Sequence, residues 1–194
     1  MEYCLETHDL CKSYGRFKAL SGLTLHVPKG AIYGLVGRNG AGKTTLLRAI
    51  AAELTARGDL HACYMPQEYG DLLVPDETPL DYLAPSGAKD ELTRARTYLG
   101  SLRYTADEMD HPIRALSGGQ KAKLLLLKMS MEDADVLILD EPTRNFSPLS
   151  GPEIRALLRA FPGAILSVSH DRKFIVEVCT RVCRLTEAGL EELR

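Results

Sequence analysis

Residues 37–44 read GRNGAGKT, satisfy the pattern G-x-x-x-x-G-K-[ST], and join two segments of different periodicity. Ahead of them, residues 31–37 (AIYGLVG) form a short, mostly apolar run of the kind found in a strand buried on both faces. Behind them, residues 43–54 (KTTLLRAIAAEL) have helical spacing and end before Gly58-Asp59. The composition follows from what such a turn must do. Gly37, Gly40 and Gly42 let the backbone curl until its N–H groups converge on phosphate oxygens. The helix beginning near Lys43 adds its N-terminal dipole. Lys43 is suited to reach β- and γ-phosphates as a point charge, and the Thr44 hydroxyl to ligate Mg²⁺. A glycine-rich turn can match this pattern by accident, and the strand and helix on either side argue against that.

A second carboxylate-bearing element lies downstream. Residues 136–141 (VLILDE) deliver Asp140 to the end of an apolar strand, where it can hold magnesium through water. Glu141, next along, is placed to accept a proton from an attacking water. Apolar strands ending in acidic residues are common, so this segment gains its meaning from the phosphate loop upstream. Between the two, residues 116–120 read LSGGQ at the head of a helical run over about 117–131. Ser117, Gly118 and Gly119 would open that helix with bare N–H groups, an anion site with nothing bulky in front.

The rest of the chain predicts strands alternating with helices, hence an α/β fold around a largely parallel sheet. The first thirty residues alternate apolar and polar and break at Pro28-Lys29-Gly30, as antiparallel strands joined by turns do. Residues 60–65 and 164–169 are further strand candidates, 152–161 a helix with proline in its first turn, 171–179 a helix and 181–185 a strand. Over about 70–116 the character changes: Pro75, Pro79, Pro85 and Pro112 punctuate short helical segments such as 89–102, which predicts a helical insert. The expected organisation is one domain over 1–194, with 1–66 and 117–194 as core and β-subdomain and about 70–116 as helical subdomain.

Composition narrows the surroundings. With a formal net charge of −2, charge alone gives no reason to expect a polyanion such as DNA as partner. The five cysteines are odd in number and scattered without a CxxC pair, which points to a reducing cytosol rather than a disulfide framework or zinc knuckle. No apolar run approaches the roughly 20 residues of a membrane helix. Service at a membrane would need another chain to do the spanning.

Taken in order, the phosphate loop, LSGGQ, the segment LILDEPT (137–143) and SVSHD (167–171) resemble the ATP-binding cassette (ABC) ATPase domain over about residues 4–186. The resemblance implies a P-loop NTPase core that binds ATP with Mg²⁺ through Gly37, Arg38, Asn39, Gly40, Ala41, Gly42, Lys43, Thr44 and Thr45. It implies that Tyr14 stacks on adenine, that Gln67 senses magnesium and the attacking water, and that His170 contacts the γ-phosphate and fixes that water with Glu141. It further implies that Ser117, Gly118, Gly119 and Gln120 close over the γ-phosphate of ATP held by a facing cassette, so that the chain pairs with itself or a related chain.

Two departures bear on function. Family members usually carry an aspartate after the DEPT segment; here residues 141–152 read EPTRNFSPLSGP, with Arg144, Asn145 and Phe146 and no aspartate. Lys43 and Gln67 are only 24 positions apart, where transport cassettes usually have a longer β-rich stretch. That spacing, the EPTRN loop and residues 168–178 resemble the ABC-F branch, ATPases that act on ribosomes, whereas the first fifty residues are more similar to drug-export cassettes. Three functional classes therefore stand open. One is a ribosome-associated ATPase with Arg94, Arg96 and Arg103 as RNA-facing candidates. Another is a transporter subunit docking a permease near Gln67 and residues 70–110, and the third is a nucleotide-dependent clamp that does not hydrolyse.

Overall fold

The computed structural model describes residues 3–14, 17–38, 40–56, 59–144, 146, 151–186 and 189–194; the side chains of residues 14 and 17–21 also lie outside the description. The chain divides into two compact units, Met1–Gln67 with Asp133–Arg144 and Arg159–Arg194, and Glu68–Glu132 with Asn145–Leu158.

The first unit contains an antiparallel pair, β1 (Tyr3–Tyr14) and β2 (Phe17–Pro28), and a six-stranded sheet. The sheet runs in the order β4 (Ala62–Met65), β5 (Val136–Asp140), β6 (Ala164–Val168), β3 (Ile32–Val36), β7 (Arg181–Thr186), β8 (Gly189–Glu192). All neighbours are parallel except β7 and β8. The α/β fold with a largely parallel sheet and an N-terminal antiparallel pair is thus the one the sequence predicts. Every residue of β5 and β6 is buried, as an apolar run without alternation requires. Helix α1 (Lys43–Ala56) lays Leu46, Leu47, Ile50 and Leu54 against Leu35, Ile138, Leu166 and Val168 of the sheet and Leu25 and Val27 of β2. The register sets the pole of the sheet where chemistry can occur: Asp140 of β5 faces Val168 of β6, and Leu35 of β3 faces the same Val168. The carboxyl ends of β3, β5 and β6 therefore finish together.

Two details depart from expectation. Residues 172–177 alone form the helix predicted over 171–179, here α7 (Arg172–Glu177) in chain order. The chain leaves the helix because Thr180 is drawn to β3, its N–H donating to the Ile32 carbonyl at 2.8 Å and its hydroxyl to the same oxygen at 3.2 Å. Strand β8 was not anticipated; residues 189–192 (GLEE) have no apolar alternation, and they form a strand because β7 presents a free edge to pair with.

The second unit is helical: α2 (Pro79–Leu83), α3 (Lys89–Ser101), α4 (Ala106–Asp110), α5 (Gly118–Met131) and most of α6 (Gly151–Arg159). Its helix starts are chemically marked. Thr78 caps α2 with Pro79 at the first position, while Thr105–Glu108 and Ser117–Gln120 form capping boxes on α4 and α5. Leu124 to Leu127 of α5 are all buried, so this helix is apolar most of the way round and sits inside its unit. Among the described residues no helix is long and apolar enough to cross a membrane.

Packing in the first unit has little slack at the middle of β3. A Cβ on Gly34 would lie 2.7 Å from the Cys179 sulfur. Gly34→Ala should therefore cost about 1–3 kcal/mol of stability in urea denaturation, and adding Cys179→Ala should recover most of that loss.

Candidate functional site

The phosphate loop occupies the turn between β3 and α1. Gly37, Gly40 and Gly42 take φ values of 153°, 83° and 87°. At Gly37 space as well as torsion excludes a side chain, since a Cβ would stand 2.8 Å from the Leu185 carbonyl oxygen. The Arg38 carbonyl accepts the Ala41 N–H at 3.2 Å, and the Gly42 carbonyl accepts the Leu46 N–H at 2.8 Å, which starts the helix. Arg38 and Gly40 are exposed; Ala41, Gly42, Thr44 and Thr45 are half-buried. Asn39 lies outside the described residues.

Lys43 is the buried cation of this loop, 7% exposed, with its Nζ donating to the carbonyls of Gly37 at 2.8 Å and Arg38 at 2.9 Å. Burial pulls its pKa below the ordinary lysine value, while the carboxylates of Glu141 and Asp140 pull it back up. The ammonium thus closes the loop upon itself.

Asp140, at the end of β5, is 2% exposed. Its Oδ2 is buried without a hydrogen-bond partner. Burial raises its pKa, against the Thr44 hydroxyl and the charges of Arg48 and Lys43, which favour the ionised form. An orphaned carboxylate oxygen beside a threonine hydroxyl is a fit for a hard divalent cation with oxygen ligands, which would supply the missing partner. Arg48 escaped the sequence reading. It stands four residues after Thr44 on α1, one turn along the same face, which is the signal that could have found it.

Glu141 turns the chain. Its φ of 54° is in the left-handed region, unusual for glutamate, while its N–H still donates to the Val168 carbonyl at 2.9 Å. The bend directs the carboxylate to the loop after β6. There the His170 N–H donates to Oε2 at 3.2 Å, and His170 Nε2 lies 3.4 Å from Oε1. Burial raises the Glu141 pKa, partly offset by the His170 N–H and ring. The His170 side chain is 55% exposed and Glu141 only 14%, so the histidine presents an open edge while the acid is sheltered. Beneath them the Thr143 and Ser169 hydroxyls approach at 3.5 Å and the Asp171 N–H donates to Ser169 Oγ at 3.1 Å, joining the two loops.

The first unit therefore gathers Lys43, Thr44, Asp140, Glu141 and His170 at one pole. Gln67 sits in a half-buried bend two residues past β4, with no bond to that group among the described contacts. Tyr14 ends β1, but its side chain lies outside the described residues.

In the second unit, Ser117 is the N-cap of α5, its hydroxyl accepting the Gln120 N–H at 3.3 Å. Gln120 Oε1 accepts from the Ser117 N–H at 2.9 Å and hydroxyl at 2.8 Å. These bonds occupy the N–H groups of Ser117 and Gln120. Those of Gly118 and Gly119 carry no hydrogen bond among the described residues, which leaves two adjacent donors at the positive end of the helix. Two tyrosines brace the same turn from outside, Tyr69 donating to the Gly118 carbonyl at 3.0 Å and Tyr104 to the Gln120 carbonyl at 2.5 Å.

A glycine loop with a buried lysine, an orphaned strand-end carboxylate and a sheltered acid–histidine pair define a P-loop nucleotide-binding domain. The profile of the family described as ABC transporter matches residues 20–144, and the chain belongs to the ATP-binding cassette family. It is 34% identical over 97% of its length to the protein YdiF of Bacillus subtilis (strain 168), covering 30% of that protein. It is 30% identical over 97% of its length to the ribosome protection protein VmlR of the same organism, covering 35%. It is 30% identical over 95% to the energy-dependent translational throttle protein EttA of Haemophilus influenzae, covering 35%. The chain thus spans about a third of the length of these curated relatives. Its fold is that of a dimeric ATP-binding cassette in a post-hydrolysis state bound to ADP and Pi, with a TM-score of 0.79 at 20% identity over 97% of this chain and 98% of that one. A nucleotide-free cassette from an ABC transporter matches with a TM-score of 0.78 at 20% identity, over all of this chain and 92% of that one.

The buried acids have a consequence for stability. A carboxyl whose folded pKa lies above its unfolded one destabilises the fold as pH rises through that window, because the unfolded chain then binds fewer protons. In chelator and without nucleotide, Asp140→Asn should be more stable than the parent at pH 7. The gain should vanish when pH falls below the ordinary carboxylate range, as followed by thermal unfolding across pH.

Proposed function

We propose that the chain is an ATP-hydrolysing cassette of the ABC-F type, acting in the cytosol on ribosomes as one cassette of a dimeric pair. The observation that carries this reading is the convergence of Lys43, the orphaned Asp140 carboxylate and the Glu141–His170 pair at one pole of the sheet. ATP would lie in the loop of residues 37–45, its β- and γ-phosphates met by backbone N–H groups and Lys43, its adenine against Tyr14. Thr44, Gln67 and Asp140 would hold Mg²⁺, which supplies charge neutralisation on the phosphates when bound. Glu141 takes the proton of the attacking water, and burial, which raises its pKa, makes it a stronger base for that task. His170, hydrogen-bonded to Glu141, orients the acid and reaches the γ-phosphate.

Ser117, Gly118, Gly119 and Gln120 belong to the opposite half of each site. The two unsatisfied N–H groups of Gly118 and Gly119 suit the γ-phosphate of ATP held by a facing cassette, a second copy or a related chain. ATP then favours the closed pair by contacts that ADP lacks, and hydrolysis releases them. The names of VmlR and EttA, which concern ribosome protection and translation, favour the ribosomal role. Of the arginines that could face RNA, Arg103 is held by Glu153 at 2.7 Å and Arg96 by Asp110 at 4.0 Å, which leaves Arg94 as the better candidate.

A transporter subunit is the second reading. Leu72 and Val74, 41% and 45% exposed in the segment after Gln67, would suit a permease helix. Both readings share the ATPase chemistry. Lys43→Ala should weaken ATP binding about tenfold or more by equilibrium titration; unchanged affinity overturns the ATP site. Glu141→Gln should still bind ATP, lose about 10²–10⁴-fold in kcat, and accumulate as an ATP-dependent dimer by mass measurement in solution. Co-sedimentation of that variant with ribosomes, lost at high salt, separates the ribosomal role from transport.

A further inference from the structure

Helices α4 and α5 both begin with capping boxes, and the two boxes are interlocked. Glu108 is the third residue of the first and Gln120 the third of the second. The Glu108 carboxylate accepts the Thr105 N–H on Oε2 at 2.9 Å and the Gln120 amide Nε2 on Oε1 at 2.5 Å. The Glu108 N–H donates to Thr105 Oγ1 at 3.2 Å. Hydrogen bonding from Thr105 holds the Glu108 pKa below the ordinary carboxylate range, with Gln120 and Lys123 adding to that effect, so it stays an acceptor with no proton of its own. An amide has one donor end and one acceptor end. With its nitrogen claimed by Glu108, Gln120 can turn only its oxygen to Ser117, where the waiting groups are an N–H and an O–H. A flipped amide would set NH₂ against the Ser117 N–H, and Glu108 is what excludes that state.

We infer that Glu108 is a positioning residue for the LSGGQ segment at the start of α5: through the Gln120 amide it holds the Ser117 cap closed and keeps the Gly118 and Gly119 N–H groups preorganised for a phosphate. The inference deepens the reading of α5 as half of a composite ATP site and rests on it. Preorganised donors bind an anion without first having to be ordered. When Glu108 is lost, Gln120 can turn either way, the first turn of α5 loosens, and the two bare donors lose their common aim.

An amide–carboxylate exchange tests this in the full chain carrying Glu141→Gln. Glu108→Gln alone leaves one oxygen for two donors, the Thr105 N–H and the Gln120 amide, so one of the two meets an NH₂ group, and Gln120→Glu alone sets two carboxylates together. Made together, the two substitutions restore every bond, with donor and acceptor exchanged only between residues 108 and 120. Each single substitution should raise the ATP concentration for half-maximal dimerisation, read by light scattering, about tenfold. The double should return to within about threefold of the parent. Thr105→Ala, which removes the hydroxyl cap of α4 and leaves the Glu108–Gln120 bond, should match the parent. Fluorescent-nucleotide binding by the monomer should be the same in all. Singles that dimerise like the parent, or a double no better than the worse single, overturn the role of Glu108. A Thr105→Ala shift equal to that of Glu108→Gln shows that α4 stability alone was measured and also overturns it. A parent that binds ATP without dimerising overturns the composite-site reading itself, and this inference with it.

Discussion

The first unit is organised around two charges that ought not to be buried. Lys43 and Asp140 are both less than a tenth exposed, and an ion in such surroundings is costly unless it is paired or hydrogen-bonded. Lys43 is satisfied by two carbonyls of its own loop, and Asp140 keeps one oxygen with no partner at all. The architecture exists to hold that arrangement. The β5–β6 register sets Asp140 beside Val168, and the apolar face of α1 clamps the loop to the sheet. The bend at Glu141 then brings a third charged group to the same pole. Such unresolved polarity in an otherwise close-packed core is characteristic of a site awaiting a charged ligand.

The second unit solves the opposite problem. It leaves two helix donors open at the start of α5. The Ser117–Gln120 box consumes the cap N–H and the third N–H of α5 and leaves the two glycine donors between them. The buried leucines of α5 and the hydroxyls of Tyr69 and Tyr104 hold the turn rigid, so bareness does not become fraying.

Of the groups proposed for the site, Lys43, Thr44, Asp140, Glu141 and His170 come together at one pole of the first unit, while Asn39 and the Tyr14 side chain lie outside the described residues. The segment after Thr143, where relatives usually have an aspartate, carries Arg144 and Phe146, while Asn145 and residues 147–150 lie outside the described structure. The short Lys43–Gln67 spacing is accommodated by a β4 of only four residues at the sheet edge, so an abbreviated connection still delivers Gln67 to the end of the first unit.

Much of this was legible in the residues. The glycine spacing, the apolar strand ending in Asp140 and the serine–glycine helix start are local signals, because each sets the conformation of its own segment through torsion, burial or capping. From them the sequence determined the parallel sheet, the phosphate loop and the identity of the charged groups at its rim. The sequence did not show where α7 would stop, since Thr180 leaves the helix for a bond to Ile32, 148 residues away. Nor did it show β8, which exists only as the partner of β7. Arg48 beside Asp140 and Glu108 beside Gln120 were equally hidden, although each stood in a recognisable helical frame. Only the tertiary structure decided these, because they depend on which distant backbone or carboxylate is near, and proximity across the chain has no signature in local periodicity.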